Sequence, residues 1–170
     1  MKLAFLGDLH YGVRNDSEIF YNLQKQFFTE VFFPKLKENG VTTVIQVGDF
    51  FDRRQYINFK TLYYLKDYLP QLLQEYDIQM YVLIGNHDTA LKSSNHINSP
   101  ALLLSDIPNI TVLENLCHLT LTEAEEVFTI TVIPWINNQN YKESIEFIAN
   151  TPHQYVTGHF ELKGFEMHKG

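Results

Sequence analysis

A chain of 170 residues, 45% hydrophobic and 14% aromatic, carries enough apolar material for one substantial core, so residues 1–170 are expected to form a single globular domain. No run approaches the roughly 18 uninterrupted apolar residues of a membrane span, and the N-terminal MKLAFLGD meets an Asp before a signal-like stretch is complete; a cytoplasmic protein with no membrane partner is expected. The formal charge of −7 argues against gripping nucleic acid by a broad basic surface, and the lone Cys117 excludes an internal disulfide.

Taken in chain order, Lys2 to Leu6 predicts a short buried strand and Ser17 to Asn39 a helix. Asn15, Asp16 and Ser17 are available to cap the helix start, and Gly40 stands just past its end. Phe20, Leu23, Phe27, Val31 and Leu36 recur at roughly helical spacing, which predicts that this face lies against a sheet. Val41 to Val47 predicts a second strand, and Phe59 to Gln74 a second helix that Pro70 would shorten or kink. Ile78 to Ile84 predicts a third strand. This strand–helix alternation implies βαβ units and a mainly parallel sheet. Ile110 to Leu113, His118 to Leu121 and Val127 to Ile133 lie close together, which predicts antiparallel neighbours or a second sheet. A short helix near Tyr141 to Ala149 and a last strand, Gln154 to Thr157, complete the series.

Four predicted strands end in glycine followed by a metal-capable side chain: Gly7-Asp8-Leu9-His10, Gly48-Asp49-Phe50-Phe51-Asp52, Gly85-Asn86-His87-Asp88 and Gly158-His159. Open α/β sheets place their sites at the carboxyl ends of strands, so these turns would converge from distant parts of the chain. Carboxylate, imidazole and amide oxygen together form a mixed N/O set suited to Mn, Fe, Zn and related ions. Singly, each pair reads equally well as a turn or a helix cap. It is the joint occurrence, in order and at strand ends, that points to a metal site.

GDLH, GDFFD, GNHD and GH resemble the motif series of the calcineurin-like metallophosphoesterases. GDLHYGV, GDFFDRR, VIPW and VTGHFELKGF are similar to the SbcD-type DNA repair and recombination nucleases, especially the recombination endonuclease subunits of large tailed bacteriophages. The likeness covers nearly the whole chain. It implies a four-layer αββα sandwich of α/β class, incomplete at its C-terminal side. It further implies that Asp8 and His10 hold one divalent ion, that Asp49 bridges both, and that Asn86 and His159 hold a second. His87 would then act catalytically beside the scissile phosphate, stabilising the transition state or protonating the leaving oxygen. Asp88 is expected to orient a histidine, and Asp52 to cap or pack locally. Manganese is the first candidate metal, with Fe, Zn or Mg as alternatives.

The family's further Gly-His-x-His motif does not follow His159 in these 170 residues; His168 is a substitute on composition only. The expectation is therefore a truncated form without capping or ATPase-docking regions, binding metal weakly and cleaving little DNA on its own. Arg14, Arg53 and Arg54 sit just after motif residues, where they would either contact phosphate or form surface ion pairs. Tyr11 and Tyr56 are candidates for stacking on bases, whereas Phe50 is expected in the core. His96, His118 and His153 are expected to be structural, with the His96 loop, Thr89 to Ser99, near the cleft.

The function implied is a two-metal nuclease acting on double-strand ends and single strands. Its expected partners are DNA, an SbcC-type coiled-coil ABC ATPase and a second copy of the chain through the first helices; if the chain is of phage origin, it would act in the host cytoplasm. A phosphomonoesterase or cyclic-nucleotide phosphodiesterase of the same fold, and a non-catalytic scaffold, are the competing readings.

Overall fold

The computed structural model describes residues 1–161, so His168 and the end of the VTGHFELKGF word lie outside the described residues. Four strands, β1 (Leu3–Leu6), β2 (Thr43–Gln46), β3 (Gln79–Leu83) and β6 (Ile110–Leu113), form one sheet in the order β1-β2-β3-β6, every pair parallel. The two central strands carry apolar residues on both faces, as a sheet covered on both sides requires. Val44, Met80 and Val82 belong to a core shared with helices; Ile45 and Leu83 belong to a second core shared with another sheet.

The helical layer contains α1 (Glu18–Gln26), a π-helical stretch (Phe27–Phe32), α2 (Phe33–Asn39) and α3 (Phe59–Glu75). Gly40 ends α2 in the left-handed region at φ 64°, where its backbone N–H caps the carbonyls of Leu36 and Lys37. Asn58 caps α3, accepting the Lys60 N–H. That helix continues beyond Pro70: the N–H lost there costs one backbone bond, and burial of Leu65, Leu69, Leu72 and Leu73 holds the rod against the sheet.

The second sheet, ordered β7-β8-β9, pairs β7 (Cys117–Glu123) and β8 (Glu126–Ile133) as an antiparallel hairpin, with β9 (Val156–Gly158) parallel to β8. Helix α5 (Tyr141–Ala149) covers its outer face, where Phe147 stacks on His118 at 4.7 Å between ring centroids. His118 also meets Thr131 at 3.1 Å and the ring of His153, in keeping with a structural role. Helix, sheet, sheet and helix form the four layers expected of the metallophosphoesterase fold.

Several sequence expectations are corrected. The Lys2 to Leu6 strand is an edge strand of intermediate burial, with Phe5 53% exposed. The predicted apolar face of the first helix turns outward: Phe20, Leu23, Phe27 and Val31 are exposed, and only Leu36 of that series is buried. Instead Phe28, Phe33 and Leu36 enter the core, with Tyr21 and Phe32 packed beside them. Both faces are apolar, and the wider π turn shifts the register between α1 and α2, so one 3.6-residue period does not describe the whole segment. Ser17 precedes α1 without a side-chain cap. Ile110 to Leu113 joins the parallel sheet, not the antiparallel group. The segment read as a loop after GNHD is a hairpin, β4 (Thr89–Leu91) and β5 (Ser94–Asn98), leading into α4 (Ser99–Leu104).

Candidate metal centre

The C-terminal ends of β1, β2, β3 and β9 share one edge of the molecule, and hydrogen bonds tie their turns to one another. Leu9 and His10 both donate backbone N–H to the Asp49 carbonyl at 3.0 Å. His87 donates its backbone N–H to Asp49 Oδ1 at 2.7 Å, and His159 donates its own to the Ile133 carbonyl at 3.2 Å. Glycine is needed where these turns touch. Gly48 has φ +100°, and a Cβ there would stand 2.6 Å from His159 Nδ1; a Cβ on Gly85 would run into the backbone and carboxylate of Asp49. His10 and Asp49 are themselves left-handed, at φ 47° and 53°, a conformation that costs non-glycine residues of order 1–3 kcal/mol. The cross-bonded turns hold them there.

Asp49 is buried, and its two carboxylate oxygens face different histidines: Oδ2 lies 3.7 Å from His10 Nε2 and Oδ1 lies 3.6 Å from His159 Nε2. Both gaps exceed a hydrogen bond yet suit donors that share an ion. The His159 Nδ1–H donates to the Val47 carbonyl at 2.9 Å, which leaves the neutral ring with a lone pair at Nε2. Asn86 Oδ1 stands 2.8 Å from that nitrogen. Two lone-pair atoms so close call for a cation beside them or a proton between them. His10 Nδ1 is buried without a hydrogen-bond partner among the described residues. Atoms from His10, Asp49 and His87 lie within 4.8 Å of one another. The donor set therefore fits divalent metal ions.

The sequence-predicted residues gather unequally. His10, Asp49, Asn86, His87 and His159 converge. Asp8 follows the edge strand, is exposed, and is not part of the 4.8 Å group. His87 Nδ1 is 2.6 Å from the Asp52 carbonyl, which fixes its ring, and it meets the His10 ring edge-on at 4.9 Å. Asp52 thus contacts two histidines: its carboxylate also approaches His10 Nδ1 to 3.5 Å.

Asp88, expected to orient a histidine, instead accepts backbone N–H groups from Phe50, Phe51 and Gly85 at 3.2, 3.0 and 2.9 Å. It binds the Asp49 turn to the Asn86 turn. Burial pushes its carboxyl up to about 6, against the lowering pull of those N–H groups.

Arg53 is engaged by Asp16 at 2.6 Å and by Asn15 at 3.1 Å, and lies over the Tyr56 ring, so the ion-pair reading holds for it. Arg54 donates to Thr89 Oγ1 and lies over the Trp135 ring. Arg14 is exposed, on a left-handed turn of Arg14, Asn15 and Asp16. Tyr11 is buried, its hydroxyl 2.5 Å from that of Tyr68, which removes it from base stacking; Tyr56 is exposed and Phe50 buried.

Sequence reading passed over Gln46 and Trp135. Buried Gln46 brackets the Asp49 turn, donating to the Gly48 carbonyl at 2.6 Å and accepting the Gly48 N–H at 3.2 Å, and it reaches the Gly7 carbonyl at 3.3 Å. A glutamine at the end of the apolar run VTTVIQ was the available signal. Trp135 donates its N–H to the Ile84 carbonyl, joining the second sheet to the Asn86 turn.

Two facing sheets with a histidine–aspartate–asparagine cluster at their strand ends define a metal-dependent phosphoesterase. The chain belongs to the calcineurin-like phosphoesterase family, whose model matches residues 1–170. It is 34% identical over 170 residues to exonuclease subunit 1 of Enterobacteria phage T4, an alignment covering all of this chain and 48% of that protein. The chain thus spans about half the length of the curated relative it matches.

Proposed function

We propose that this domain hydrolyses phosphodiester bonds of DNA with two divalent metal ions, as the nuclease part of a repair or recombination machine. The observation that carries the reading is the posture of Asp49, with one oxygen toward His10 and the other toward His159. His10, joined by Asp8, would hold one ion; Asn86 and His159 would hold the other; Asp49 would be shared. Bound ions would supply Lewis acidity toward the phosphate oxygens and toward water. Manganese suits the mixed N/O set, and iron, zinc or magnesium would compete by availability.

The remaining work falls to the chain itself. His87, its Nδ1 held by the Asp52 carbonyl, would deliver a proton to the leaving oxygen through its other ring nitrogen. Arg14, exposed beside the His10 turn, would meet the phosphate backbone; Arg53 would act indirectly by bracing that turn through Asp16. The phage T4 relative is named as an exonuclease subunit, which supports DNA as substrate and a partner subunit; an SbcC-type ATPase is the proposed partner. The exposed apolar residues Ile19, Leu23, Val31 and Phe59 support self-association through the first helices.

Comparing manganese-dependent hydrolysis of bis(p-nitrophenyl) phosphate and plasmid DNA with that of p-nitrophenyl phosphate tests the reading. Whatever turnover the chain shows is expected to be higher on the diester and on DNA than on the monoester. A preference for the monoester would favour the phosphomonoesterase reading, and absence of both hydrolysis and manganese binding would favour a scaffold.

A further inference from the structure

A cavity of about 590 Å³ is lined by residues of which none belongs to the metal centre. Pro134 lines its wall between two residues that hold the metal-centre turns: the Ile133 carbonyl accepts the His159 N–H, and Trp135 N–H donates to the Ile84 carbonyl, just before Gly85. The cavity wall is thereby tied to the segments that carry His159 and Asn86. Its volume falls in the range, roughly 300–1,000 Å³, of pockets that take small organic ligands.

The lining is built in two tiers. Asn95, Asn137 and Asn140 form a fixed frame. Asn95 and Asn140 donate to the Trp135 carbonyl at 2.8 and 3.1 Å, and Asn137 donates to Asn95 Oδ1 at 3.0 Å. On that frame stand His96, Asn115, Gln139 and Glu143, whose side chains make no hydrogen bond among the described residues. No lysine or arginine lines the cavity, and its charges are the carboxylates of Glu114 and Glu143, so a phosphate group would be repelled. What such a lining accepts is a flat, neutral ring with several donors and acceptors on its edge: amides for both, a carboxylate for exocyclic amino groups, and the Leu116 and Pro134 surfaces for the ring face.

We infer that this cavity seats an unpaired nucleobase of the nucleotide next to the cleaved phosphate. The inference rests on DNA being the substrate. Phosphate and base are then held by separate, oppositely suited sites: cations for the one, an acidic and amide-rich pocket for the other.

Binding of a short single-stranded oligonucleotide by the full chain, read by fluorescence anisotropy in EDTA, tests it without requiring turnover. The probes are the intact strand and versions abasic at each position in turn. One abasic position is expected to weaken binding about tenfold, the scale of one lost base contact. That sensitivity is expected to vanish in a variant carrying Asn115→Ala and Glu143→Ala, which leaves the Asn95–Asn137–Asn140 frame intact. Manganese-dependent hydrolysis of bis(p-nitrophenyl) phosphate, which has no base, is expected to be the same in both proteins. Equal binding of every abasic strand by the unaltered chain, or unchanged sensitivity in the variant, would overturn the pocket. Absence of both manganese binding and diester hydrolysis in the unaltered chain would instead fall on the metal-centre reading.

Discussion

His159 Nε2 lies 2.8 Å from Asn86 Oδ1, although 73 residues separate the two in the chain. Their meeting joins the two sheets at the candidate metal centre, because Asn86 follows the first sheet's β3 and His159 follows the second sheet's β9. His159→Ala should therefore remove a proposed metal donor and a bond to Val47 together. Manganese affinity by calorimetry should fall by at least about 10–100-fold, the scale for losing even a residue that only supports a ligand, while the far-ultraviolet circular dichroism stays that of the parent.

The glycine between Ile84 and Asn86 is a steric requirement. An added methyl at Gly85 meets the Asp49 backbone, so Gly85→Ala should destabilise the domain by about 1–3 kcal/mol through overpacking. It should also distort the Asp49 turn. Urea denaturation together with manganese titration measures both effects, and a fully stable variant with parental affinity would contradict the packing.

The motif words made the site legible before any fold was known, since glycine followed by a metal-capable side chain at successive strand ends has a physical reason. Strand alternation in VTTVIQV and YVLI was equally plain, and so was Gly40 as a helix stop. The outward face of α1 was not legible: Phe20, Leu23 and Phe27 carry the same apolar signal as Phe28 and Phe33, and the choice between them is made by tertiary packing across a π turn. Asp88 misled for a related reason. A carboxylate beside a histidine in sequence suggests a partner for an imidazole, but its three bonds run to backbone N–H groups, those of Phe50 and Phe51 in the Asp49 turn and that of Gly85 in its own.

Asp16 fastens the turn that carries Arg14. Burial alone would raise its carboxyl, but hydrogen bonds from Thr61, Arg53 and Asn58, with the Arg53 charge, hold it below the ordinary 3.8. A carboxyl lowered in the folded state adds stability that is fully present above the unfolded value and is lost as pH falls through the folded one. The melting-temperature gap between the parent and Asp16→Asn should thus be largest near neutrality and close below about pH 4. A gap that widens in acid would contradict this assignment.

Arg14 and Arg53 should part company on substitution. Arg14→Ala is expected to weaken DNA binding and lower the slope of log affinity against log salt by about 1, with stability unchanged. Arg53→Ala is expected to lower the melting temperature, because it strips Asp16 and Asn15 of a partner. Salt-titrated anisotropy and thermal denaturation separate the two outcomes.

Leu23 is 56% exposed on a face that also shows Ile19 and Val31. If that face joins two copies, Leu23→Glu should convert a dimer to a monomer in light scattering. A parent that is already monomeric at high concentration would remove the self-association proposal and leave the metal centre untouched.

Anomalous scattering from crystals grown with manganese tests the central claim most directly. The arrangement predicts two peaks about 3.5 to 4 Å apart, one on each side of the Asp49 carboxylate, the first beside His10 and the second between Asn86 and His159. Peaks that avoid Asp49, or a single ion held by His10 and His87 with Asn86 and His159 left bare, would contradict it.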